Sequence, residues 1–189
     1  MRFPISIYIE NQALPVPEIA VELEAALRRG VGVVILVPAE PEEYVRAARQ
    51  NPGQKALFDQ IEALGRHEIF ALIGIAGRNL QGGRSNIYVH SKIMLIDDAF
   101  ATIGSCNLHA VSLFGSTEMN ASFQDPKGVR ALRCALLAEH TGQDVLHLDD
   151  RAALDLCRRI ALQNRHKRAA GVSDWQGLVF SLDPATCGT

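Results

Sequence analysis

The sequence predicts a layered α/β domain, an α/β/α sandwich around a mixed, largely parallel central sheet. Three observations carry that expectation. Short strand-like apolar runs alternate with helical patterns. The stretch Val31 to Val37 is continuously apolar and rich in Val and Ile, the signature of a strand covered on both faces. Polar residues collect just beyond apolar runs, where open α/β sheets build their sites.

In chain order, Ile5 to Glu10 reads as a short buried strand. Pro15 to Arg29 follows as a helix with Ile19, Leu23, Ala26 and Leu27 at helical spacing, and Gly30 stops it. After Val31 to Val37 come helical stretches at Glu42 to Arg49 and Gln54 to Leu64. Ile69 to Ile75 is another buried strand, and Gly77 to Arg84, with Gly82-Gly83, is a polar loop. Three short apolar runs, Ile87 to Val89, Ile93 to Ile96 and Ala101 to Ile103, are separated by polar residues. Glu118 to Phe123 reads as one more strand, and Lys127 to His140 and Arg151 to Lys167 as amphipathic helices. Residues 1–168 are expected to form a single domain and 169–189 a loosely packed C-terminal tail.

The chain has 189 residues, 48% hydrophobic and 21% charged, the balance of a globular protein rather than a disordered or fibrous one. No run is long enough for a spanning helix, and Met1 to Pro4 leads into the first strand without a leader pattern. A cytoplasmic location, or a peripheral one at a membrane surface, is the expectation. A net charge of -2 provides no global field for nucleic acid or anionic lipid. The four cysteines are scattered, with neither zinc-ligand spacing nor a disulfide framework. A basic run, Arg158, Arg159, Arg165, His166, Lys167 and Arg168, is a solvated helix face or, less often, a contact for a phosphate-rich surface.

The chemistry concentrates in two segments. His90 and Lys92 are two apart, so on an extended segment they face the same side. Asp97 follows the apolar run after Lys92, and Gly104-Ser105-Cys106-Asn107 follows the next run as a turn feeding a helix. A phosphodiester needs its negative oxygens neutralised, an in-line nucleophile and a proton for the leaving oxygen. Lys92, Asn107 and Ser105 can supply the first, and His90 is the natural nucleophile. An imidazole attacks well when its other nitrogen is held by a carboxylate, and Glu118 is the candidate for that partner.

Six fixed identities at fixed spacing arise by chance on the order of once in 10⁷ or more starting positions, so coincidence is a poor explanation. The segments His90 to Asp97 and Gly104 to Asn107 match, at every fixed position, the H-x-K-(x)4-D-(x)6-G-S-x-N signature that the phospholipase D superfamily carries, and the chain is similar to that family. The resemblance implies that His90 becomes a phosphohistidine, Lys92 and Asn107 bind phosphate, Ser105 assists, Asp97 is structural or salt-bridging, and Glu118 orients the histidine. It implies no metal and no other cofactor. Ile7 to Gln12 resembles the I-Y-I-E-N-Q segment of true phospholipases D, which places Glu10, Asn11 and Gln12 on the substrate side. Val129 to Gly142 resembles their downstream R-x-x-L-x-x-E-H-x-G helix. These flanking segments favour phospholipids as substrate, with hydrolysis or transfer of phosphatidyl groups; a homodimeric nuclease acting on nucleic acid, and an inactive half that binds phosphate or a partner, are the alternatives.

Phospholipases D carry the motif twice, and this chain carries it once. None of His67, His109, His140, His147 and His166 begins a second copy. The chain therefore resembles the second half of a two-motif enzyme. The proton donor is expected from a missing first half or from a homodimer mate placed by a two-fold axis.

Overall fold

A computed structural model describes residues 5–187. Met1 to Pro4, where the sequence predicts no leader, and the last two residues of the expected tail lie outside the described residues.

The strands are β1 (Ser6–Glu10), β2 (Gly32–Leu36), β3 (Phe70–Arg78), β4 (Arg84–Asn86), β5 (Ile93–Ile96), β6 (Phe100–Gly104), β7 (Asn120–Gln124) and β8 (Val179–Ser181). They form one sheet in the order β4-β3-β2-β1-β5-β6-β7, with β8 also paired to β3. The centre is parallel, β1 beside β2 and β2 beside β3. Both flanks are antiparallel, because β5, β6 and β7 form a meander and β4 and β8 return along β3. Parallel pairing is thus confined to β1, β2 and β3, which follow one another through helical connections.

Helices α1 (Pro17–Arg28), α2 (Glu43–Gln50) and α3 (Lys55–Leu64) precede β3, while α4 (Pro126–Thr141) and α5 (Asp150–Ala169) follow β7. Alternation along β2 sorts the two cores. Val33, Ile35 and Val37 pack with Ala20, Leu23 and Leu27 of α1 and Ile61 and Leu64 of α3. Val34 and Leu36 point the other way, to Val129, Cys134 and Leu137 of α4 and Ala153, Leu154 and Cys157 of α5. This is why the β2 sequence shows no polar face. Burying each larger aliphatic side chain contributes about 1.5–3 kcal/mol, which fixes the register, since a one-residue slip would exchange the two cores. Pro17 opens α1, the Asp149 carboxylate caps α5 by accepting from Ala152 N at 2.7 Å, and Gly142, at φ 65°, ends α4 in a left-handed turn.

Two expectations need correcting. The tail after Ala169 is not loose: β8 pairs with β3, and Trp175, Val179 and Phe180 are buried. The three-residue strand is too short to stand out among the surrounding Gly, Ser and Pro. The loop Gly77 to Arg84 is partly a hairpin, with Gly77 opposite Ser85 and Arg78 opposite Arg84. The turn after Asn107 feeds the π-helical segment Val111–Gly115. On the basic run of α5, Arg159, His166, Lys167 and Arg168 are exposed, as a solvated face has them, while Arg158 pairs with Asp155, Arg165 with Asp183, and Arg168 reaches Asn86 and lies over Phe180.

Candidate active site

The pairing register gathers the motif. Glu10 at the end of β1 lies opposite Ile93 at the start of β5, Ile93 opposite Ile103 of β6, and Ile103 opposite Ala121 of β7. Residues just beyond these positions, Gln12, Lys92, Ser105 and Met119, therefore emerge at one edge of the sheet, where the parallel strands also end. Gly104 allows the closest approach there: a Cβ on it would lie 1.9 Å from Asn120 Oδ1 and 2.3 Å from the Met119 carbonyl.

At this edge two donors meet one oxygen. Lys92 Nζ donates to Gln12 Oε1 at 3.1 Å, and Asn107 Nδ2 donates to the same atom at 3.4 Å. Lys92 also donates to the His90 carbonyl at 2.8 Å and is only 9% exposed. Burial pulls its ammonium below the usual lysine range, and the charge of Glu118 opposes that shift. An oxygen held by a desolvated cation and an amide occupies the kind of place that a non-bridging phosphate oxygen needs.

His90 is exposed and stacks on Tyr88, ring centroids 6.2 Å apart. Its ring has no hydrogen-bond partner among the described residues. The expected pairing of Glu118 with His90 is replaced by another: Ser105 Oγ donates to Glu118 Oε2 at 2.5 Å and accepts from Met119 N at 3.0 Å. Hydrogen bonds with Ser105, then with Ser112, hold the Glu118 carboxyl below its usual range, and the charges of His109 and Lys92 add to the effect. The turn between β6 and β7 brings these residues together, a proximity that sequence spacing does not reveal.

Of the three residues expected on the substrate side, Gln12 alone bonds to Lys92 and Asn107. Glu10 points beneath the motif. Its Oε1 accepts from Tyr8 Oη at 2.8 Å and lies 3.1 Å from His140 Nε2, while Oε2 accepts from Ser91 Oγ at 2.6 Å. Burial alone would raise the Glu10 carboxyl; hydrogen bonds from His140, Ser91 and Tyr8 outweigh it and hold the group below its usual range. Glu10 thus anchors Ser91, the residue between His90 and Lys92. Asn11 is also buried, and its Oδ1 accepts from Ala13 N at 3.0 Å and Leu108 N at 3.1 Å, tying the end of β1 to the loop after Asn107.

Asp97 belongs to the opposite edge. It sits past the far end of β5 at φ 51°, and its Oδ1 accepts from Ile5 N at 2.8 Å and Ser6 N at 3.0 Å. This is a structural tether for the start of β1, and the whole of β5 separates it from Lys92. The salt-bridging carboxylate is its neighbour Asp98, which takes Arg133 Nε at 2.6 Å and Arg130 Nη1 at 3.0 Å.

Sequence reasoning missed Tyr88 and Glu42. Gln12 Nε2 donates to Tyr88 Oη at 2.6 Å and to Glu42 Oε1 at 3.4 Å, and Tyr88 Oη donates to Glu42. Burial, then the Glu42 carboxylate, pushes the Tyr88 phenol up to about 12. Alternation could have suggested Tyr88, two residues before His90. No local signal marks Glu42, which arrives from the N-terminus of α2.

A family model described as cardiolipin synthase, PLD-like domain, matches residues 5–138. The chain is 39% identical to phospholipase D zeta 2 of Arabidopsis thaliana over a match covering 31% of this chain and 7% of that protein. It is 26% identical to probable cardiolipin synthase YwiE of Bacillus subtilis (strain 168), over 63% of this chain and 20% of that one. Among solved structures, NucT from Helicobacter pylori aligns with a TM-score of 0.52 at 18% identity, covering 68% of this chain and 74% of that one. The last likeness concerns the fold. The matches span a fifth or less of the two curated relatives' lengths.

Proposed function

This chain belongs to the phospholipase D superfamily, within the family of cardiolipin synthase PLD-like domains, and from that premise we propose that it hydrolyses or transfers phosphatidyl groups of phospholipids as one half of a two-motif active site. The observation that carries the reading is the convergence of Lys92 Nζ and Asn107 Nδ2 on one oxygen. With a substrate, that oxygen is a non-bridging phosphate oxygen and Gln12 gives way.

In the first step an imidazole nitrogen of His90 forms a bond to phosphorus while the bond to the leaving oxygen breaks. The leaving alkoxide takes a proton from a donor in the second half. In the next step water or an alcohol, deprotonated by that same group, attacks phosphorus and the N–P bond breaks, freeing His90. Lys92 and Asn107 stabilise the charge on the non-bridging oxygens throughout. Ser105 and Glu118 position the loop that carries Asn107.

The rim supports the need for a second half. β7 is exposed along its whole length, and Val111, Phe114 and Met119 are 66%, 73% and 82% exposed beside the motif. Apolar side chains grouped this way suit a protein surface that covers them. No helix among the described residues is long and apolar enough to cross a membrane. The test is a side-by-side assay of phosphatidylcholine or phosphatidylethanolamine vesicles and DNA, with His90→Ala as control. Release of head group by the wild type and not by the variant is the expected outcome; cleavage of DNA alone would replace this reading with that of a nuclease.

A further inference from the structure

An apolar groove of about 510 Å³ is walled in part by residues that directly follow the phosphate seat along the chain. Its walls include Ala13, Tyr44, Ala48, Phe58, His109 and Val111. Ala13 follows Gln12, and His109 lies two residues beyond Asn107, so both walls start from the residues that hold the shared oxygen. They are knitted at that end: Asn11 Oδ1 accepts from Ala13 N and Leu108 N, and Val16 N donates to the Leu108 carbonyl at 2.8 Å.

The far wall is α2, which has no buried residue although Tyr44 and Ala48 share one helical face with Val45 beside them. That face turns toward the groove, so the apolar side of a strongly amphipathic helix goes uncovered. The polar groups along the walls are few. His109 Nδ1 already accepts from Ser112 N at 3.2 Å, and its ring meets Tyr44 edge-on at 6.2 Å between centroids. A cavity of this size lies within the ~300–1,000 Å³ range that holds small molecules.

Resting on the reading of Lys92 and Asn107 as a phosphate seat, we propose that this groove is an acyl-chain subsite, which receives one hydrocarbon chain of a ligand whose phosphate lies between those two residues. A cationic, hydrogen-bonding head joined to an apolar trough is complementary to an anion carrying a single alkyl chain. A nucleotide fits less well, because its sugar and base need more polar partners than Gln54, the Tyr44 hydroxyl and His109 offer among the apolar walls.

The test is calorimetric and needs no turnover: titration of the protein with inorganic phosphate and with ethyl, butyl, hexyl and octyl phosphate below their micellar concentrations. Full burial of each added methylene tightens binding about fourfold until the chain outruns the groove. Ala48→Trp fills the trough and flattens this series to less than twofold per methylene, while affinity for inorganic phosphate stays within twofold of wild type. Tyr44→Asp, at a half-exposed position, gives the same flattening by making the wall polar. If phosphate binds but the wild-type series is flat, or if both variants keep the wild-type slope, the subsite is wrong and the phosphate seat survives. If phosphate fails to bind, or binds equally well to Lys92→Ala, the seat itself is wrong, and the subsite falls with it.

Discussion

Replacing Glu10 by Gln tests how the buried layer supports the motif. The carboxylate takes three hydrogen bonds, from Tyr8, Ser91 and His140, at 5% exposure. Bonds to a charged acceptor contribute about 1.5–3 kcal/mol and neutral ones about 0.5–1.5, so an amide weakens each by about 1 kcal/mol. Burying an amide is easier than burying a carboxylate, which returns part of that sum and leaves a net loss of about 2 kcal/mol. For a chain of this size the melting temperature should fall by roughly 4–8 °C. The pH dependence supplies the sharper check. The folded carboxyl titrates below its unfolded value of ~4.3, so the stabilisation is complete above that value and drains away as pH falls through the lower folded one. Urea midpoints of wild type and Glu10→Gln, taken from pH 7 downward, should differ by the full amount down to the unfolded value of ~4.3 and converge as pH falls below it. A gap of constant size across that range, or no gap at pH 7, would refute the assignment of a buried, ionised Glu10.

Other outcomes follow from the same geometry. Lys92→Ala or Asn107→Ala should each lower turnover of a soluble phosphodiester by ~10²–10³, the loss typical of one preorganised donor to a developing oxyanion, with melting temperature little changed; a loss under fivefold would remove them from the seat. Asp97→Ala should destabilise the protein by about 1–2 kcal/mol, since Ile5 N and Ser6 N lose their acceptor, and leave kcat intact. A collapse of kcat at full stability would restore Asp97 to the chemistry. Asp98→Ala strands the buried Arg133 and should cost about 3–5 kcal/mol in urea unfolding; an effect below 1 kcal/mol would mean the clamp to α4 is idle.

The sequence-readable part of this fold is what local periodicity encodes. The unbroken apolar run of β2 announced a strand covered on both faces, and the stripes of α1, α4 and α5 announced helices. The site was legible where contacts are local or the spacing specific: Lys92 beside His90, and Asn107 one turn past β6. Linear spacing could not say that four residues of β5 carry Asp97 to the far edge, or that Asp98 and not Asp97 holds the arginines of α4. Glu10 is five residues into a strand and reads as a strand-end polar group; that it faces a buried histidine depends on α4 packing on the Tyr8 side of the sheet. Glu42 and Tyr88 meet Gln12 only through tertiary packing, and β8 is too short for any period to show.

Whether the His90 imidazole bonds to phosphorus can be tested with a p-nitrophenyl phosphodiester without help from a second half, because nitrophenolate departs without a proton. After mixing and quenching in alkali, where phosphohistidine persists, peptide mass spectrometry should find the phosphoryl ester on the peptide containing His90 in wild type and nowhere in His90→Ala. Turnover or its absence without that adduct, or an adduct on any other residue, would rule out His90 as the nucleophile.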